Sequence, residues 1–206
     1  TCVVREDPDR EGLLYAGTEF GMFISFDNGA HWQPFQLNLP NVPVSDIKVH
    51  HQDLVVSTQG RAIWILDNIT SLHQLTSQQK SSDAYLFKPR DGYRTRVGPT
   101  VLGPVVDYYL PNAAKQTVII EILDSKGTVL NTYNSETPVL RPGRRGGGAA
   151  DPESQSDPDA GPARRATPPP RVTKTAGINR FAWDLRNEQG VTLPPGEYQV
   201  RLKSGI

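Results

Sequence analysis

Cysteine is nearly missing from this chain. Cys2 stands alone among 206 residues, so no internal disulfide can staple the fold and cysteine usage does not report the redox compartment. Flanked by Thr1 and Val3, it reads as an ordinary strand residue rather than a reactive thiol. Net charge is missing too: 22 Lys and Arg balance 22 Asp and Glu. That balance removes the usual reason to expect nucleic acid or an anionic membrane as the main partner. No apolar run comes near the roughly 20 residues needed to span a bilayer. The opening "TCVVREDPDREG" lacks the apolar stretch of a signal peptide. No Ser-His-Asp arrangement, phosphate-binding loop or dinucleotide fingerprint is present, and no cofactor is implied. The chain begins inside a strand-like run and stops at "RLKSGI", just after another, so it reads as a piece of a longer protein.

What is present is a repeat. Sliding the sequence by 40 residues lays "LYAGTEFGMFISFDN" (Leu14 to Asn28) on "LVVSTQGRAIWILDN" (Leu54 to Asn68) without a gap. Leu14 falls on Leu54, Thr18 on Thr58, and Asp27-Asn28 on Asp67-Asn68. Each copy is a short apolar run, a polar turn and a second apolar run. The runs are too short for helices and rich in β-formers, so they predict strands. "SDIKVH" precedes the second copy as a further strand, and "HWQPF" follows the first. Four short strands about every 40 residues is the spacing of a β-propeller blade.

Between the third and fourth strands of the first copy lies "SFDNGAHW", Ser25 to Trp32. As a hairpin turn it is self-explanatory. Asp27 can accept from the turn's own N–H groups, and Ser25 can add a side-chain bond. Gly29 supplies a positive φ at no steric cost, and Trp32 returns its ring to the sheet. Calcium held by the Asp-Asn-Gly run, or a sugar stacked on Trp32 beside His31, are the alternatives.

The same octet matches the Asp-box, or BNR, motif of sialidase-type, xyloglucanase-type and sortilin-type propellers. The longer run from Val3 to Ile69, with "NLPNVPVSDI" and "TQGRAIWILDNI", resembles the end of the propeller in large bacterial sortilin-like, or glycosyl hydrolase-like, BNR-repeat proteins. Gln59 departs from that pattern, where His is expected in "THGR". The resemblance implies an incomplete propeller of about two blades at residues 1–75, with the other blades in a missing N-terminal part of the same chain. It also implies a secreted, periplasmic or cell-envelope location. Two repeats do not close a ring, since each blade buries its faces on neighbours.

After "TSQQKSSD", a polar linker within 76–88, the pattern becomes a different β module over 89–206. "VVDYYL", "QTVIIEILD", "TVLNTY", "INRFAWDL" and "GEYQVRL" are strand-like. Val118, Ile120 and Ile122 share one face of their strand; so do Phe181, Trp183 and Leu185, and Tyr198, Val200 and Leu202. Trp183 reads as a core plug rather than a sugar platform. Asp124-Ser125-Lys126-Gly127 is a hairpin-type turn. An antiparallel immunoglobulin-like sandwich is expected. "GINRFAWDLR" and "LPPGEYQVRL" resemble the immunoglobulin-like module of flagellar hook-capping proteins. Residues 134–176 are rich in Pro, Gly, Arg and acids with almost no large apolar residue, and predict a disordered insertion. Its "RRGGG" lacks the aromatics that would stack bases, and acids sit among its arginines.

Catalysis has few candidates. Propeller active sites usually lie opposite the Asp-box turns, where "TEFG", "TQGR" and "NLPNVPVSD" would fall. Their ionisable residues are Glu19, Arg61 and Asp46. Glu19 and Asp46 could pair across a channel as glycosidase carboxylates, or be solvated turn residues. Arg61 reads as bonding turn carbonyls or Asp67. His50 and His51, adjacent near a hairpin tip, should point to opposite faces and not share a metal. His31 and His73 have no partner at ligand spacing. Asn68-Ile69-Thr70 is a formal glycosylation sequon. The leading expectation is a non-catalytic piece of a secreted or envelope propeller protein, binding protein or glycan. The rivals are part of a glycoside hydrolase completed by absent blades, and a spacer or anchoring module.

Overall fold

The computed structural model describes residues 2–76, 84–92, 103–136 and 170–204. The protein is all-β, built from antiparallel sheets; among the described residues the helical element is the five-residue α1, Thr70–Gln74. The chain divides between Thr76 and Ser77 into two compact units.

The first unit opens with a four-stranded meander, β1 (Val3–Glu6), β2 (Leu14–Thr18), β3 (Gly21–Ser25) and β4 (Gln33–Pro34). A three-stranded meander follows: β5 (Val44–His50), β6 (Asp53–Thr58) and β7 (Ile63–Leu66). Period-two alternation decides which side chains go inward. Tyr15 and Ile24 are paired across β2 and β3, and both are buried. In the second sheet Leu54 and Val56 are buried opposite Leu66 and Trp64, which pack against the same core. The sheets meet where Gly17 allows close approach. A Cβ there would lie 2.5 Å from Val44 Cγ1 and 2.8 Å from Val3 Cγ1. The "HWQPF" strand is shorter than its sequence suggests and spans Gln33–Pro34, although Phe35 N–H still donates to the Met22 carbonyl at 2.9 Å. Gln36 continues the edge with its side chain: Met22 N–H donates to its Oε1, and its Nε2 donates to the carbonyls of Leu39 and Pro40.

Pairing register corrects the gapless repeat. Tyr15 pairs with Ile24, whereas Val55, its counterpart 40 residues on, pairs with Ile65. The β6–β7 turn therefore carries one extra residue. Thr58 closes on Ala62 rather than on a residue three further along, with Gly60 at φ 82° and Ala62 at φ 58°. The Asp67-Asn68 identity with Asp27-Asn28 is thus not a structural equivalence. After β7 the chain turns into α1, where the first copy has β4.

Among the described residues, the second unit holds two three-stranded sheets. In one, β10 (Val118–Leu123) lies between β11 (Val129–Asn134) and β13 (Gln199–Ser204). In the other, β9 (Val105–Leu110) lies between β8 (Tyr85–Leu86) and β12 (Gly177–Ala182). Val118, Ile120 and Ile122 are wholly buried, and Tyr133 meets Phe181 with ring centroids 4.8 Å apart. Trp183 is 3% exposed and packs edge-on against Tyr198. The opposite faces carry charge pairs. Arg180 forks onto Asp107 through Nε and Nη2 at 2.9 and 3.0 Å, and Glu121 receives Lys203 and Arg201. Strand β8 falls inside the stretch read as a linker, because Tyr85 and Leu86 pair with Tyr109 and Tyr108. Residues 77–83 of that linker, and 137–169 of the expected insertion, lie outside the described residues.

Candidate functional site

Two polar centres occupy the first unit. The first is the Ser25–Trp32 turn joining β3 to β4. Ser25 Oγ donates to Asp27 Oδ1 at 2.8 Å and accepts from Gly29 N–H at 2.9 Å. Asp27 Oδ1 also accepts from His31 N–H at 2.8 Å, and Asp27 Oδ2 lies 2.6 Å from His31 Nδ1. Asn28 (φ 56°) and Gly29 (φ 87°) take the left-handed backbone that this tight path needs. The N–H of Asn28 donates to the Gly12 carbonyl and ties the turn to the β1–β2 loop. Donation by the His31 N–H, then by the His31 ring and Ser25, holds the Asp27 carboxyl down at about 2. The turn's polar atoms thus face one another. Trp32 lies over Gly29, and its residue surface is 40% exposed.

The second centre carried no motif in the sequence. Asp7, in the β1–β2 loop, has a side chain with no exposed surface. Its Oδ2 accepts from Tyr15 OH at 2.9 Å and lies 2.9 Å from His73 Nε2 in α1. Its Oδ1 accepts from Asp9 N–H at 2.9 Å. Burial alone would raise this carboxyl; the bonds from His73, Asp9 N–H and Tyr15 outweigh it and hold Asp7 below the usual range. Burial, with the Asp7 charge beside it, pushes the Tyr15 phenol well above its ordinary value. Arg10 donates to the Leu72 carbonyl and lays its guanidinium 5.2 Å from the centre of the Phe26 ring. His73 therefore has a partner, 66 residues away, that no local spacing reveals. Asp7, Asp9 and His73 place ligand-type atoms within 4.8 Å of one another. Asp7 Oδ2 already receives Tyr15 and His73, and Oδ1 the Asp9 N–H, so the arrangement is a hydrogen-bonded latch between the β1–β2 loop and α1.

The catalytic candidates do not converge in this way. Glu19 sits exposed in the β2–β3 hairpin loop. Asp46 is paired with Arg5 Nη2 at 2.8 Å, and its Oδ1 also accepts from Ile47 N–H. Arg61 is exposed in the β6–β7 turn, where its carbonyl accepts from Trp64 Nε1 at 3.0 Å. His50 and His51 differ from expectation. His51 and Gln52 form a two-residue turn with φ 49° and 64°, which brings the two imidazoles to a centroid distance of 4.1 Å. Strand alternation does not apply to His51, because it has left the strand. Asn68 of the sequon is 2% exposed, and its Oδ1 accepts from Thr70 Oγ1 at 2.6 Å. That side chain shapes the entry to α1 and faces away from solvent.

The second unit contains a cleft of about 580 Å³, within the size range of small-molecule sites. Trp183, Tyr198, Leu185 and Leu193 form its apolar wall, and Lys88, Arg90, Asp91 and Glu197 stand among its polar lining. The sequence marked Trp183 and Tyr198 as core-facing but gave no sign of a cleft, since its rim comes from segments about 100 residues apart. Comparison with protein-family models, curated proteins and solved structures yields no match.

Proposed function

We propose that this chain is a non-catalytic binding piece of an Asp-box propeller protein of the sortilin-like type. Its first unit would supply about two blades and its second an immunoglobulin-like module, in a secreted or envelope setting. The observation that carries the binding reading is the cleft of the second unit. Its aromatic wall suits a sugar ring or an apolar peptide side chain, and the acids Asp91 and Glu197 balance Lys88 and Arg90 in its lining, so its charge selects neither sign. The polar groups of the Ser25–Trp32 turn and of the Asp7 latch are engaged internally, which supports a structural part for both. The rival hydrolase reading needs two carboxylates about 5–9 Å apart on one site. It finds less support, because Asp46 is tied to Arg5.

The test is binding of the chain to a panel of neutral and acidic glycans and peptides. The expected result is selective capture of a subset of the panel, weakened roughly tenfold by Tyr198→Ala in a variant whose near-UV circular dichroism shows the fold retained. Uniform silence across the panel would overturn the proposal. Cleavage of a chromogenic glycoside that Asp46→Asn or Glu19→Gln abolishes would favour the hydrolase instead.

A further inference from the structure

The register-corrected repeat says how the two sheets of the first unit are stacked. Tyr15, Met22 and Ile24 on one face of the first sheet correspond in pairing position to Val55, Ile63 and Ile65 of the second. Leu14, Ala16 and Phe23 on the other face correspond to Leu54, Val56 and Trp64. The buried interface is therefore not a meeting of like faces. The Tyr15 face of the first sheet packs against the Leu54 face of the second. Each sheet thus has two different faces, and the stacking is head-to-tail.

One contact of that kind leaves two complementary faces over. On the second sheet, the counterpart of the buried Tyr15 face presents Ile63 and Ile65, which are 65% and 58% exposed. On the first sheet, the counterpart of the Leu54 face presents Val4, 45% exposed, beside a buried Ala16, 7% exposed, and a half-buried Phe23. Exposed isoleucines at alternate positions of a strand leave apolar surface in water, and sheets facing water usually place polar residues there, as this face does at Lys48 and Asp46, which pair with Val55 and Ser57. Moreover β7 has β6 on one side and no strand on its other side among the described residues.

We infer that the Val55–Ile63–Ile65 face is an interaction surface whose partner is a second copy of this chain. That copy offers the Val4–Ala16–Phe23 face of its own first sheet. The template is the interface already inside the molecule: residues in the same pairing positions, with the same aliphatic and aromatic character, pack there, with the Tyr15–Asp7–His73 bonds and the Arg5–Asp46 pair beside them. A head-to-tail contact of this kind does not close at two, so association grows with concentration. This inference rests on the strand register and concerns this chain by itself, since the neighbouring blades of the propeller reading would take the same two faces.

Sedimentation velocity of the intact chain, from low micromolar to hundreds of micromolar, tests it. The wild type is expected to pass from monomer to dimer and larger species. Ile65→Lys and Val4→Lys, both at exposed positions that tolerate a charge, each weaken association at least tenfold. An equimolar mixture of the two variants keeps one intact pair of faces and restores a heterodimer that grows no further. A wild type that stays monomeric throughout overturns the inference, as does association indifferent to Ile65→Lys. Failure of the mixture to restore the dimer also overturns it, since that outcome belongs to a symmetric contact.

Discussion

The first unit contains two aspartate–histidine pairs, and they teach different lessons. Asp27 and His31 are four residues apart in one turn, with the imidazole exposed and the nitrogen–oxygen distance 2.6 Å. Asp7 and His73 are joined at 2.9 Å across 66 residues, and the carboxylate has no contact with solvent. The geometry is nearly the same, but the energetics are not. In the exposed turn, water can replace either partner, and an exposed ion pair contributes little. Inside, a missing partner leaves a buried charge with nothing to answer it, which is among the costlier defects a fold can carry. The shorter contact is therefore the weaker determinant of stability, and the longer one decides whether α1 stays on the β1–β2 loop.

Asp7→Asn is the sharpest way to break that contrast. It should destabilise the first unit by about 3 kcal/mol in urea unfolding at neutral pH, because it replaces an acceptor of three bonds with a half-donor. His73→Ala should cost less, about 1–2 kcal/mol, since Tyr15 and the Asp9 N–H remain on the carboxylate. A double-mutant cycle on Asp7 and His73 should show clear coupling, while the same cycle on Asp27 and His31 should show none beyond error. Coupling of equal size in the two pairs would erase the distinction. Next in size is Gly17→Ala, another long-range dependence. Its Cβ would meet Val44 Cγ1 at 2.5 Å, and overpacking of that kind costs roughly 1–3 kcal/mol. Val44→Ala in the same molecule should recover part of the loss by opening the space; no recovery would mean the sheets do not meet at Gly17.

What could be read from the sequence follows the same line between local and distant. The strand runs at Leu14, Gly21, Val118 and Val129 were legible because alternation needs only a few neighbouring residues. The Ser25–Trp32 turn was legible because its donors and acceptors lie within seven residues, from Ser25 Oγ to the His31 N–H. The one-residue lengthening at Gly60 was not, since the β6–β7 pairing, and not the letters, decides which face Ile63 and Ile65 take. Nor was β8, a two-residue strand that exists only because Tyr109 and Tyr108 offer it a partner. The Asp7 latch was hidden most thoroughly. His73 looks solitary along the chain, and only the fold returns α1 to the first loop.

Asn68→Ala tests a local contact of intermediate size. The Asn68 Oδ1 accepts from Thr70 Oγ1 at 2.6 Å and from Thr70 N–H at 3.3 Å, an Asx-type turn leading into α1. Removing such a buried acceptor usually costs about 1 kcal/mol, well below Asp7→Asn. Thermal unfolding of the variant beside Thr70→Val, which removes the hydroxyl partner alone, should place both losses under that of the buried latch.

The smallest effect is expected at Asp27, and pH isolates it. Its carboxyl titrates at about 2 in the folded chain against an ordinary 3.8, so the folded value is depressed. Unfolding then takes up a proton between those two values, and the turn's contribution is complete above pH 3.8 and is lost as the pH falls toward 2. An NMR titration of the Asp27 side-chain carboxyl should show that midpoint. His31→Ala should raise it only partway, because the largest single influence is the His31 backbone N–H, which alanine keeps. Asp27→Asn should remove this share of the acid-induced loss and leave the share of Asp7, whose carboxyl is also held low. If Asp27 instead titrates near 3.8, the turn does not hold its bonds in solution. The stability of the β3–β4 connection would then rest on the Gly12–Asn28 backbone bond and on Gln36.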